Sequence, residues 1–258
     1  MKVNANGIAV NVNIEGPSSA PTVVLSHSLL LSIGAWDAVA ADLASDYRVV
    51  RYDLRGHGET EATTGAYSMG ELADDVVALL DALDIDRAHY VGLSIGGGIG
   101  QVLASRNPDR VNRLVLAATG PKTPPEGAAQ WQARIAEVRE GGIDTQIEPF
   151  IGRWFTPSAD PAVVERTEAM MANTSVDGFI GCCEALTVHD ALGMLGAITA
   201  PTLVLTGSDD PGSTPAIGDL LASKIPGATH TTIPDASHQI ALQHPGAFVA
   251  AVRAHLAE

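Results

Sequence analysis

Cysteine is nearly absent from this chain of 258 residues. The only two, Cys182 and Cys183, are adjacent, which fits neither a disulfide framework nor a zinc-ligand spacing. Basic residues are scarce as well: 15 Lys and Arg stand against 30 Asp and Glu, for a formal net charge of −15. Nucleic acids and anionic membranes both call for basic footprints, so no nucleic acid and no membrane is expected as a partner. No run of 18 apolar residues occurs, because stretches such as TVVLSHSLLL are interrupted by Ser26, His27 and Ser28. The opening MKVNANGIAVNVNIEG lacks the basic start and apolar run of a signal peptide. No grouping of His, Cys and carboxylates has metal-ligand spacing, so no metal and no organic cofactor is expected. On these grounds a soluble, cytoplasmic protein is expected.

Apolar residues, in contrast, make up 46% of the chain. Area scaling gives roughly 10,700 Å² folded against about 38,700 Å² unfolded, enough for one sizeable core. The first residues read as a hairpin. Asn6-Gly7 supplies the positive φ values of a tight turn, and apolar alternation follows through Ile8, Val10, Val12 and Ile14. Short apolar runs then alternate with helical periodicity. Strands are expected at Thr22–Ser26, Arg48–Tyr52, Ala88–Leu93, Leu114–Ala117, Thr202–Thr206 and Thr229–Ile233. Helices are expected at 35–43, 69–83, 95–106, 216–223 and 245–256. Ser68 and Glu71 form a capping box before the second of these. Such alternation implies a mainly parallel, doubly wound sheet with right-handed crossovers. From about Gly120 to Gly196 no strand is visible, and helical patterns dominate at 130–139, 161–171 and 177–186. This segment reads as a helical cap (120–196) inserted after the sixth strand of a core formed by 1–119 and 197–258.

Gly92-Leu93-Ser94-Ile95-Gly96 is the sharpest signal. It matches a G-x-S-x-G elbow and lies between a strand and a helix, where that motif must lie. The serine sits on a strained turn, so the flanking glycines let strand and helix pass closely. A serine hydroxyl is a weak nucleophile and needs a base oriented by an acid, in the chain order Ser, acid, His. Of eight histidines, His238 lies just beyond the last strand, in Asp235-Ala236-Ser237-His238. His27 and His57 precede the serine, His89 falls inside a strand, His189 lies in the insertion and His230 at a strand start. His244 and His255 are assigned to the last helix and to solvent. Asp210, in Gly207-Ser208-Asp209-Asp210, is preferred over Asp209 as the acid because the G-x-x-D spacing aims it at the histidine. The amides of Ile95 and Leu29 are the candidate oxyanion donors. His27 is read as structural, and in Asp53-Leu54-Arg55-Gly56-His57-Gly58 the charged pair is read as a brace.

Together these segments resemble the α/β-hydrolase superfamily over essentially the whole chain. Within it they are most similar to 3-oxoadipate enol-lactonases, on the RYDLRGHG, GLSIGG, Arg153-Trp154-Phe155-Thr156, Cys183-Glu184-Ala185 and Thr214-Pro215-Ala216 stretches. The resemblance implies the α/β-hydrolase fold, with an eight-stranded sheet flanked by helices and covered by a helical cap. It also implies hydrolysis of a small carboxylate-bearing lactone by an acyl-enzyme on Ser94, with Arg153 or Trp154 near the substrate. The chain departs from the pattern in its apolar Leu29-Leu30-Leu31 loop, in Gln243-His244-Pro245, where the superfamily often has a glutamate before the proline, and in its GSDDPGSTP acid loop. A general carboxylesterase, a perhydrolase and a carbon–carbon bond hydrolase share the serine arrangement. A ligand-binding sensor with a vestigial site is the alternative from another class. Cys182 and Cys183 read as core residues of a cap helix.

Overall fold

The computed structural model describes residues 1–257. Its first hairpin forms as the turn chemistry dictates: Asn6 and Gly7 have φ of 49° and 78°, and β1 (Lys2–Ala5) pairs antiparallel with β2 (Ile8–Glu15). The remaining strands are β3 (Thr22–Ser26), β4 (Arg48–Tyr52), β5 (Ala88–Leu93), β6 (Val111–Ala117), β7 (Thr202–Gly207) and β8 (Thr229–Ile233). They form one eight-stranded sheet in the order β1-β2-β4-β3-β5-β6-β7-β8. β2 joins β4 antiparallel, and every pair from β4 to β8 is parallel. The central strands are β-branched and leucine-rich because both faces are covered. Val23, Leu25, Val49, Val91, Val115 and Leu205 point to one core. Their alternates Val24, Val50, Tyr90, Leu114, Leu116 and Val204 point to the other. The helices α1 (Asp37–Leu43) and α10 (Pro245–Ala257) cover the first face, where Trp36 packs against Phe248. On the opposite side lie α2 (Met69–Ala82), α3 (Ile95–Arg106) and α8 (Pro215–Lys224).

Four helices separate β6 from β7: α4 (Pro125–Gly141), α5 (Asp144–Trp154), α6 (Pro161–Ala172) and α7 (Val176–Thr187). The segment leaves and returns side by side. Thr123 N–H donates to His189 C=O at 2.9 Å, and Ala191 N–H to Pro121 C=O at 2.8 Å. Sequence patterns miss α5 because Pro149 and Gly152 lie inside it and Gly142 stands just before it. Its buried residues, Gln146, Phe150 and Trp154, make one narrow stripe at i, i+4 and i+8. A short α9 (Ile240–Gln243) after the last strand is also invisible to periodicity. Strand β6 begins at Val111, three residues before the expected start, and α4 begins at Pro125, where proline suits the first helical position. The accessible surface of 9829 Å² is near the value expected for one compact core.

Two histidines differ from expectation. His244 precedes α10 and donates from its ring to Asp235 C=O at 2.9 Å. His255 is on that helix but buried, its Nε2 3.1 Å from Pro201 C=O, because the face of α10 that carries it packs on the sheet. The Asp53–Arg55 brace also divides. Asp53 accepts from Asn11 Nδ2, Ile33 N–H and Glu59 N–H at 2.8, 2.6 and 2.9 Å, whereas Arg55 pairs with Asp75 on α2 at 2.6 Å. Cys182 and Cys183 are fully buried, and burial pushes both thiols up, so they remain neutral.

Candidate active site

Ser94 occupies the single residue between β5 and α3, with φ 59° and ψ −117°. A side chain rarely adopts that left-handed backbone, and the surrounding contacts hold it there. A Cβ on Gly92 would lie 2.2 Å from Gly96 C=O, and one on Gly96 would lie 2.4 Å from Ser26 C=O. Both positions therefore need glycine for the turn to close. Ser94 N–H donates to Ala117 C=O at 2.9 Å, and the Tyr90 hydroxyl donates to Gly96 C=O at 2.9 Å. These bonds tie the elbow to the neighbouring strand and to its own strand.

The loops after β7 and β8 bring the other two predicted residues to this point. His238 Nε2 is 2.9 Å from Ser94 Oγ, and His238 Nδ1 is 2.7 Å from Asp210 Oδ2. The carboxylate accepts the Nδ1 proton, which leaves Nε2 as the acceptor facing the serine hydroxyl. Asp210 Oδ1 accepts from Gly212 N–H at 2.8 Å and Ser213 N–H at 3.0 Å. Burial alone would raise this carboxyl's pKa; the His238 ring opposite and the two backbone donors outweigh it, and the net shift is downward. Asp209 instead takes the Ser208 hydroxyl at 2.5 Å and faces solvent.

The β3–β5 register, with Ser26 opposite Gly92, sets the loop after β3 beside the elbow. Among the described residues neither the Ile95 amide, at the positive end of α3, nor the Leu29 amide is engaged by another group. Leu29, Leu30 and Leu31 are buried, so the apolar loop serves the core. Leu30 has φ 65°, and its carbonyl accepts from the Thr174 hydroxyl at 3.1 Å, a tie from the helical segment. His27 Nδ1–H donates to Ser28 C=O at 2.8 Å while its Nε2 accepts Leu54 N–H at 3.0 Å. Burial lowers its pKa, as the neutral, structural reading requires.

Trp154 closes over this group, its ring stacked on His238 with centroids 6.3 Å apart and planes at 19°. Arg153 is exposed, with its guanidinium 3.7 Å from the position of a Gly212 Cβ in the acid loop. Sequence reasoning did not single out Arg134. Its guanidinium lies 4.2 Å from the Phe150 ring centroid, and Phe150 packs on Trp154 at 5.0 Å. Burial first, and then the nearby Arg153 charge, lowers its pKa. The i, i+3 spacing of Trp131 and Arg134 on α4 was the available signal, without a partner to give it meaning.

Residues 21–245 match the family described as alpha/beta hydrolase fold. The chain belongs to that family. It is 37% identical to 3-oxoadipate enol-lactonase 2 of Acinetobacter baylyi, over 98% of this chain and 94% of that protein. It is 31% identical to a pimeloyl-[acyl-carrier protein] methyl ester esterase of Chromobacterium violaceum, over 96% of this chain and 98% of the relative. The crystal structure of the enol-lactonase from Burkholderia xenovorans LB400 superposes with a TM-score of 0.96 at 35% identity, covering 100% of both chains. In architecture and overall sequence this α/β hydrolase is similar to those enol-lactonases.

Proposed function

We propose that this α/β hydrolase opens a small lactone, 3-oxoadipate enol-lactone being the first candidate, through an acyl-enzyme on Ser94. The contact chain Ser94 Oγ–His238 Nε2, His238 Nδ1–Asp210 Oδ2 carries the reading, at 2.9 and 2.7 Å. Ser94 Oγ attacks the lactone carbonyl while His238 Nε2 takes its proton. The tetrahedral oxyanion accepts from the amides of Ile95 and Leu29; one such donor is typically worth about 10²–10³ in rate. Collapse breaks the ring C–O bond, and the imidazolium returns the proton to the leaving enolate oxygen. Water, deprotonated by His238, then cleaves the ester on Ser94 and restores the hydroxyl. Asp210 holds the ring tautomer and balances the imidazolium charge.

Residues 120–196 form the cap in this reading, and its Arg153 and Arg134 supply positive charge for the carboxylate of the substrate. A protein of net charge −15 repels that anion at long range, but at physiological salt the field is screened beyond about 8 Å. Local arginines then decide binding. The likeness to enol-lactonases supports this substrate class over neutral methyl esters. Loss of the ultraviolet absorbance of 3-oxoadipate enol-lactone tests it: wild-type protein hydrolyses the lactone and Ser94→Ala does not. No turnover of the lactone alongside turnover of a neutral methyl ester would move the assignment to a general carboxylesterase.

A further inference from the structure

All four hydrogen-bonding positions of the Gln243 side-chain amide are used. Oε1 accepts from Thr156 N–H at 3.4 Å and from Ser237 N–H at 3.3 Å. Nε2 donates to Asp235 C=O at 3.0 Å and to the Thr156 hydroxyl. The two backbone donors fix which end is oxygen, since a flipped amide would set N–H against N–H. One side chain thus joins the loop carrying His238 to the first residues after α5. Two further bonds flank the histidine: Ser237 Oγ–H donates to Arg153 C=O at 2.7 Å, and Gln239 N–H to Trp154 C=O at 3.1 Å. Those are carbonyls at the end of α5, left without helical partners and satisfied here by the residues on either side of His238. The loop needs such anchoring, because Asp235 sits at φ 54°, a conformation that is held only when its surroundings impose it.

We infer that Gln243 is a positioning residue: it latches the His238 loop to the helical segment at Thr156, so that the placement of the base against Ser94 depends on that segment being docked. This rests on the Ser94–His238–Asp210 reading above. A glutamate would still accept from Thr156 and Ser237 but would turn an acceptor toward Asp235 C=O, breaking one side of the latch. Methionine keeps the volume and removes all four bonds.

The test uses diethyl 4-nitrophenyl phosphate, which phosphorylates an activated serine: the Ser94 Oγ–P bond forms, 4-nitrophenolate leaves, and His238 takes the hydroxyl proton. Release of 4-nitrophenolate is followed to saturation in the full-length protein and in Gln243→Met, Gln243→Glu, Thr156→Val and the Gln243→Met/Thr156→Val pair. The expected result is a roughly 10-fold lower maximal labelling rate in Gln243→Met, equivalent to about 1.4 kcal/mol, with the half-saturating concentration changed less than about twofold. Gln243→Glu falls between the two, and the double variant labels no more slowly than Gln243→Met, because both changes open one latch. Leu43→Ala, in the core under α1, lowers the unfolding temperature without slowing labelling, which separates positioning from stability. Maximal rates in the Gln243 variants equal to wild type overturn the inference while leaving the serine reading intact. Absence of labelling at Ser94 in the wild-type protein overturns the serine reading and the latch with it.

Discussion

The Trp154 indole stacks on the His238 imidazole, with its plane 19° from parallel and 6.3 Å between centroids. In the proposed reaction the imidazole becomes cationic, and an aromatic face beside it would stabilise that cation; stacked pairs are worth about 0.5–1.5 kcal/mol beyond buried area. Trp154→Ala should therefore lower kcat about 2- to 10-fold, and Trp154→Phe should retain most of the activity. Steady-state kinetics on the enol-lactone reads both. An unchanged kcat in the alanine variant would remove Trp154 from the reaction.

Arg134 and Arg153 lie near enough for one charge to depress the pKa of the other. A substrate carboxylate between them would relieve that repulsion. Changing either to alanine should raise KM for the lactone about 10-fold or more, and leave KM for a methyl ester of the same acyl group nearly unchanged. Equal losses on both substrates would mean that the arginines hold the fold of the helical segment between β6 and β7 and do not select the anion.

Gly96→Ala tests the elbow without touching a reacting group. The added methyl would meet Ser26 C=O at 2.4 Å, and that carbonyl belongs to a central strand. Overpacking of this kind typically costs about 1–3 kcal/mol. Urea unfolding should show a loss in that range, and activity should fall further because the serine turn must open to relieve the contact.

His57 is buried and neutral, its pKa pushed down to about 3 by burial and by the neighbouring His27. The unfolded chain binds this proton near pH 6.5, so it holds more protons than the folded chain between pH 6.5 and 3. Stability contributed by His57 is complete above pH 6.5 and declines as pH falls through that window. His57→Gln should flatten the fall in urea midpoint between pH 7 and pH 4.5; an identical fall in both proteins would contradict the assignment.

Much of this was legible because the chemistry is local. Asn6-Gly7, the Gly92–Gly96 spacing and the loops carrying Asp210 and His238 each state their geometry within a few residues. Helix α5 was hidden because Pro149 interrupts a pattern that only tertiary packing completes. His255 was misplaced because burial depends on which face of α10 meets the sheet, and α10 is apolar nearly all round. Arg134 and Gln243 were illegible for another reason. Each takes its role from partners distant in sequence, Phe150 and Gln146 for the arginine and Thr156 for the glutamine, 87 residues away.

A covalent bond to Ser94 is the step that distinguishes the proposed reaction from direct attack of water on the lactone. Acid-quenched mixing of the protein with enol-lactone, followed by mass analysis of the peptide containing Ser94, should show that peptide heavier by the whole substrate. The leaving oxygen of a lactone stays tethered to the acyl group, so nothing is lost on ring opening. Ser94→Ala should show neither adduct nor turnover. Full turnover by Ser94→Ala, with no adduct in the wild-type protein, would contradict the account.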